Sequence, residues 1–401
     1  MTSPNTRSYG VHFIIVFLFI CLNLRLSFSA TDPLLPVMMR DLGMQPGGGG
    51  LFALLPVMSL GVAAPLGTRL VSWVRPRILI TCAMGLAMGG IVWRSYGGSA
   101  GLFGGTGLIG IGLGITGSVI LGIVKELFPK HIPVLMGAYT ACVCLGTSLG
   151  SAAGEPVMIL MGGWQRGLLF WVCPLALAVL LWVELSHRSH PFNLNEQPLH
   201  ASMRPLLRQS KAWWVSSFYL FRVAGSWALI AWLATLMHRR GLSVVEAGYV
   251  LGLATACEIP GTLLSDHFTR WLGSGTRLLL LALPLSIVAV FGLLLGPLNW
   301  WPLFSVLFGL CIGAVFAMGM TFIVDNSADS AATVALSGMA QGLGFILGGL
   351  LAWGSSVVMD SNCPQLWMAC AYSLFALGGL LCGWRSDSPA KVVISPSRET
   401  H

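Results

Sequence analysis

Twelve apolar stretches follow one another along this 401-residue chain with short breaks between them. Each is long enough to carry a helix across roughly 30 Å of hydrocarbon. They lie at about 10–36, 49–70, 76–95, 100–126, 132–160, 165–187, 212–237, 244–268, 276–296, 300–325, 331–358 and 364–384. Such a series restricts the chain to an all-α membrane protein of twelve transmembrane helices. Composition agrees. Apolar residues make up 55% of the chain and charged residues 9%, against about 25% charged in a soluble domain. Fifty glycines without a collagen period suit helices that approach closely in lipid.

The first apolar run is too long for the core of a secretion signal, and no small-residue cleavage site leads into a soluble domain. Span 1 therefore reads as uncleaved. Most of the ten cysteines, Cys21, Cys142, Cys144 and Cys311 among them, sit inside apolar spans. They read as small hydrophobes. With no CxxC and no His/Cys cluster, neither a disulfide framework, a metal site nor a cofactor is expected.

Charge sets the orientation. With both termini in the cytoplasm, fifteen of the 22 Lys and Arg residues fall on the cytoplasmic side, including Arg75, Arg77, Lys130, Arg188, Arg204, Arg208, Lys211, Arg270 and Arg277. Arg40, Arg94, Arg166, Arg239 and Arg240 fall outside, the last two as a local violation. The bias follows the positive-inside rule, so the net charge of +8 reflects topology and does not point to nucleic acid. Trp213, Trp214, Trp300 and Trp301 stand at span ends, where an aromatic belt belongs. The expected location is the plasma (inner) membrane, in a chain acting as a monomer.

Residues 188–211 form the longest polar stretch, with three prolines, two histidines and no apolar periodicity. They divide the chain into an N-terminal six-helix bundle (1–187), a cytoplasmic linker and a C-terminal bundle with a short cytoplasmic tail (212–401). The halves carry a weak repeat. LLPVMMRDLG at 34–43 matches WLATLMHRRG at 232–241, and Pro65, Gly67 and Thr68 match Pro260, Gly261 and Thr262. Parallel six-helix repeats build one large transporter class.

The repeat places two arginines in register: Arg25 lies 18 residues before Gly43, and Arg222 lies 19 before Gly241. A guanidinium at membrane depth costs about 2.5–3.5 kcal/mol on insertion scales, so each needs a wet cavity or a partner. Asp32, seven residues on, falls on the same helix face as Arg25, and Glu258 on span 8 sits at the depth of Arg222. Ion pairing of this kind is one reading. The other is an anion held near the midplane by the guanidinium fork.

LNLRLSFSATDPLLP at 22–36 resembles the first-helix motif of the cyanate permease family of the major facilitator superfamily through Arg25, Pro33, Leu34, Leu35 and Pro36, with Leu26 in place of the usual proline. GIGLGITGSVILGIVKELFP at 110–129 is similar to the fourth-helix motif. There Gly117, Lys125, Phe128 and Pro129 match, Ser118 replaces asparagine and Gly122 replaces proline. LMGAYT (135–140), IAWLATLMHRRGLSVVEAG (230–248) and ALSGMAQGLGFILGG (335–349) resemble helices 5, 7 and 11. The resemblance covers nearly the whole chain and implies a secondary transporter of small solutes, such as cyanate or nitroimidazoles. It also implies two bundles that rock about a central site lined by helices 1, 4, 7 and 10, with 5 and 11 contributing. Arg222 is not expected from the family and is judged on its own surroundings.

The superfamily's loop signature is degraded. Gly67 to Arg77 keeps the glycine and the basic residues without the aspartate, and Gly261 is followed by Asp266 and Arg270. These read as gating contacts between helix ends or as plain topology charge. Gly146, Gly150 and Gly154 on span 5 are spaced by four, ending in Gly154-Glu155-Pro156, as tight packing requires.

No GxSxG, HExxH, P-loop or paired Cys/His spacing occurs, so an enzyme is not expected. A channel filter has no candidate loop either. The expected function is secondary transport of a small anionic or weak-acid solute, with export of neutral 2-nitroimidazole-like drugs as the alternative and a membrane enzyme or channel as a remote one. The expected solute contacts are Arg25 and Arg222 as clamps, Ser118, Tyr139 and Gln341 as hydrogen-bonding groups, and Trp232 and Phe316 as apolar wall. Asp32, Glu155 and Glu258 are the candidates for carrying a coupling proton.

Overall fold

The computed structural model describes residues 4–43, 46–187, 199–355, 359, 361–387 and 391–394. Apolar runs become helices almost end to end. In order these are α1 (Pro4–Ser29), a 3-10 turn (Asp32–Leu34), α2 (Leu35–Asp41), α3 (Pro46–Leu70), α4 (Pro76–Tyr96), α5 (Gly98–Leu127), α6 (Ile132–Leu160), α7 (Trp164–Phe170), α8 (Val172–His187), α9 (Ser210–Arg239), α10 (Val244–Leu272), α11 (Gly275–Leu295), α12 (Trp301–Asp325), α13 (Ser330–Gly354) and α14 (Pro364–Ser386). Among the described residues eleven segments are long and apolar enough to cross a membrane, and Leu54–Leu70 of α3 is a shorter apolar stretch. This is the twelve-helix membrane fold. Large apolar side chains such as Leu160, Leu180, Leu374 and Trp271 are exposed, as hydrocarbon rather than water would favour.

Local sequence sets the helix ends. Ser243 and Glu246 form a reciprocal capping box at α10, and Asp329 accepts from Ala332 N at 2.7 Å to start α13. Gly273, with φ of 79°, closes α10 in the left-handed conformation glycine favours. The Arg239–Arg240 pair has a structural explanation. Arg240 donates to the carbonyls of Leu293 and Gly296 at the end of α11, and Arg239 Nη1 donates to Met359 O at 2.8 Å. Cations are favoured at helix C-termini, where carbonyls lack partners.

The chain forms two compact units, 1–129 with 142–202, and 130–141 with 203–401. The first turns of α6 thus group with the second unit. Of the expected linker, 188–198 lie outside the described residues. Leu199 N bonds Val71 O at 2.9 Å, a 3-10 turn covers Leu206–Arg208, and α9 begins at Ser210.

Within each unit the same packing recurs. In the first, a Cβ at Gly146, Gly150 or Gly154 of α6 would fall on the carbonyl oxygen of Leu22, Leu26 or Ala30 of span 1. In the second, Gly344 and Gly348 of α13 press on Tyr219 and Val223 of α9. Likewise Gly67 of α3 packs on Ser118 and Ile115 of α5, and Gly261 of α10 on Leu310 of α12. Small residues at i, i+4 bring backbones together where lipid offers no hydrophobic drive. The degraded loop signature makes one contact within a helix, with Arg270 Nη2 2.7 Å from Asp266 Oδ2, and one between helix ends, with Arg77 Nη1 donating to Ser186 O at 2.9 Å.

The tail folds back. Val392 is fully buried. Its N–H donates to Asn326 O at 2.7 Å, and its carbonyl accepts from Ala328 N at 3.0 Å. Gln209 holds both polar groups of Val393, donating to its carbonyl at 2.6 Å and accepting from its N–H at 3.3 Å.

Candidate functional site

In the second unit, α9 and α10 each bring one charged side chain to a shared depth. Arg222 Nη2 lies 3.5 Å from Glu258 Oε1, with side-chain exposures of 5% and 12%. The guanidinium carbon stands 3.7 Å above the centre of the Phe316 ring of α12, a close cation–π contact. Among the described residues Arg222 Nε has no hydrogen-bond partner. Next to it Tyr372 of α14 donates to Ser286 Oγ of α11 at 2.8 Å. Arg222, Glu258 and Phe316 therefore come together as one group. A paired guanidinium presents less positive field to a solute than an isolated one.

Gln341 is buried on α13, and its Nε2 donates to Ser337 Oγ at 2.7 Å. Tyr139 is buried in the same unit, on the first turns of α6, and Trp232 on α9 is half-buried.

In the first unit Arg25 is half-buried on α1 between buried Leu24 and Leu26. Ser118 is fully buried against Gly67, with its hydroxyl donating to Ile115 O at 3.0 Å. It sits between α3 and α5. Glu155 is exposed on α6, which continues through Pro156.

One expectation about charge is corrected, and Arg94 has surroundings that its place near a helix end did not suggest. Asp32 does not share a helix face with Arg25, because α1 ends at Ser29. Pro33 has no N–H to offer Ser29 O, so the α-helical ladder cannot continue there, and Asp32 opens a separate 3-10 turn where it is exposed. It lies within electrostatic range of both Arg25 and Arg94. Arg94, expected among the extracytoplasmic charges, is inside α4 and fully buried. Its Nη2 donates to Ser27 O at 3.0 Å, while its Nε and Nη1 have no hydrogen-bond partner among the described residues. The signal that would have found it is the glycine pair Gly90 and Gly105, which presses α4 onto α5 beside it. Among the described residues no group of three or more His, Cys, Asp or Glu side chains is arranged to hold a metal ion.

The family model of the Major Facilitator Superfamily matches residues 17–349. The chain is 29% identical to the cyanate transport protein CynX of Escherichia coli (strain K12), over 92% of this chain and 95% of that one. It is 28% identical to the 2-nitroimidazole transporter of the same organism, over 91% and 94%. Among solved structures, the human organic anion transporter MFSD10 (TETRAN) superimposes with a TM-score of 0.74 at 19% identity, over 95% of this chain and all of that one. A variant of the E. coli fucose:proton symporter FucP gives 0.71 at 15% identity, over 95% of this chain and all of that one.

Proposed function

Because the chain belongs to the major facilitator superfamily, a family of membrane transporters, we propose that it is a secondary active transporter of a small anionic or weak-acid solute of the cyanate kind. Its two halves give access to each side of the plasma (inner) membrane in turn, both termini are cytoplasmic, and it works as a monomer. The observation that carries this reading is Arg25, a guanidinium set within the last turns of an apolar helix between buried leucines. Such a residue is retained in hydrocarbon where it has a task, and its rigid donor fork suits a small anion. The relatives named for cyanate and 2-nitroimidazole transport support a solute of that size. Arg222 acts as a neutralised charge paired with Glu258, and Tyr139, Gln341 and Ser118 supply hydrogen bonds in conformations where they face the solute. A coupling proton is carried by one of the carboxylates Asp32, Glu155 or Glu258.

A second reading, export of a neutral nitroimidazole, is favoured by the Arg222–Glu258 pair over Phe316. There the guanidinium donates to a nitro group while Phe316 or Trp232 stacks on the ring.

Uptake of labelled cyanate by proteoliposomes tests the first reading. Arg25→Ala abolishes uptake while the protein still folds, and Arg25→Lys recovers little because a point charge lacks the fork. Near-normal uptake by the alanine variant refutes it.

A further inference from the structure

The break in span 1 is built around a guanidinium that has not used all its donors. Thr31 N bonds Phe28 O rather than continuing the helical ladder, so Ser27 O is left for side chains. It accepts from Thr31 Oγ1 at 3.3 Å and from Arg94 Nη2 at 3.0 Å. Ser29 O, facing a proline four residues on, accepts from Ser151 Oγ at 3.3 Å. Arg94 thus anchors the end of α1 to α4. Its Nε and Nη1 are buried without a hydrogen-bond partner among the described residues, and so is Ser27 Oγ. Buried donors are nearly always paired, and a buried guanidinium calls for a counter-charge.

The carboxylate in reach is Asp32, which begins the 3-10 turn just past the break and interacts electrostatically with Arg94 and Arg25. Asp32 is exposed rather than enclosed by the helices. The other two carboxylates differ. Glu258 is already engaged by Arg222, and Glu155, exposed as Asp32 is, is not among the charges that act on Arg94.

We propose that Asp32 is the coupling-proton site of this transporter and that Arg94 is its positioning residue. The proposal rests on the secondary-transport reading above and names the proton-binding group within it. When ionised, Asp32 is drawn to the open N–H groups of Arg94, tying the outer turn of span 1 to α4. When a proton neutralises the carboxylate, that tie is released while the bond from Arg94 to Ser27 O remains. Gly105 presses on the Arg94 backbone and holds the guanidinium stem in place, so the carboxylate is the partner that changes. Arg25 on α1 also acts on Asp32; the titratable or charged groups carried by the elements packed near this break are Arg40 and Asp41 on α2, Glu155 on α6 beside Gly154, Arg166 on α7 and Cys173 at the start of α8. Asp41 is itself held, accepting from Trp164 Nε1 at 2.8 Å. The charged groups of α5 and the carboxylate of α8 (Lys125, Glu126, Glu184) lie at the other ends of their helices.

Infrared spectroscopy of the full chain in lipid nanodiscs, titrated across pH, tests this without any solute. The expected result is a carboxylic-acid C=O band that Asp32→Asn removes and that Glu155→Gln and Glu258→Gln retain. Arg94→Gln keeps the band and moves its midpoint upward by about one unit or more, because a charge that favours the carboxylate is gone. Arg94→Lys, which keeps the charge, leaves the midpoint near that of the native chain. A purely structural role for Arg94 would leave the midpoint unmoved. A titrating band that survives Asp32→Asn, or a midpoint indifferent to Arg94→Gln, overturns the proposal. In a second arm, proteoliposomes loaded with cyanate are followed by counterflow and by acid-driven uptake. Asp32→Asn keeps counterflow and loses stimulation by the pH gradient; loss of neither also overturns the proposal. If the native chain moves no cyanate, the solute assignment fails while the infrared arm still decides the proton site.

Discussion

Replacing one member of the Arg222–Glu258 pair leaves the other charge buried. At 3.5 Å separation and an effective dielectric near 20, the attraction is about 5 kcal/mol. The separation exceeds the ~2.7–2.9 Å of a good charge-assisted hydrogen bond, which places the cost of a single loss toward the lower end of about 3–5 kcal/mol. Arg222 loses less than Glu258 would, since Phe316 beneath it still offers a cation–π contact of about 0.5–2 kcal/mol. Arg222→Met, Glu258→Met and the double variant, melted in detergent by scanning fluorimetry, test this. Each single change lowers the midpoint by several degrees. Glu258→Met is the milder of the two, because the cation it strands keeps its ring. The double variant melts within about 1 kcal/mol of the native chain, because two methionines fill the volume without a charge. Strict additivity of the two single changes refutes a coupled pair.

Further outcomes follow from packing and charge. Gly150→Val puts side-chain atoms on Leu26 O and lowers stability by about 1–3 kcal/mol, read as lost folded yield, whereas Gly85→Ala and Gly89→Ala, with nothing within 4 Å of the new Cβ, stay within about 1 kcal/mol of native. Ending the chain at residue 390 removes the acceptor for Ala328 N, so that amide exchanges faster with deuterium; unchanged protection refutes the docked tail. Trp232→Leu leaves cyanate competition intact, and costs at least one stacking contact, about 0.5–1.5 kcal/mol, only if nitroimidazoles are the true cargo, as read by competition binding.

The spans were legible because each apolar run is long and unbroken by charge. Pro76 and Pro364 at helix starts and Gly273 at a helix end gave further punctuation. The break at Ser29 was not legible as such, since Leu34 and Leu35 continue the apolar run beyond Asp32-Pro33 and hide the lost ladder bond. The burial of Arg94 was hidden for a related reason. An arginine two residues from a helix end reads as interfacial, and only the close approach of Gly90 and Gly105 reveals that its surroundings are protein. Arg239 and Arg240 broke the charge rule because their partners, the carbonyls of Leu293, Gly296 and Met359, lie more than 50 residues away in sequence. The tail at Val392 was illegible because four residues carry no periodicity. Arg25 and Arg222 stood out because hydrocarbon makes any charge conspicuous. What each arginine meets is a matter of tertiary packing, and Phe316 beneath Arg222 follows from no local spacing.

Equilibrium binding to the purified chain, with cyanate, nitrate, small carboxylates and a 2-nitroimidazole as ligands, tests the central assignment most directly. Small anions bind and compete with one another, and Arg25→Ala abolishes their binding while Trp232→Leu costs little. A protein that binds the nitroimidazole, ignores every small anion and loses that binding on Trp232→Leu contradicts the account.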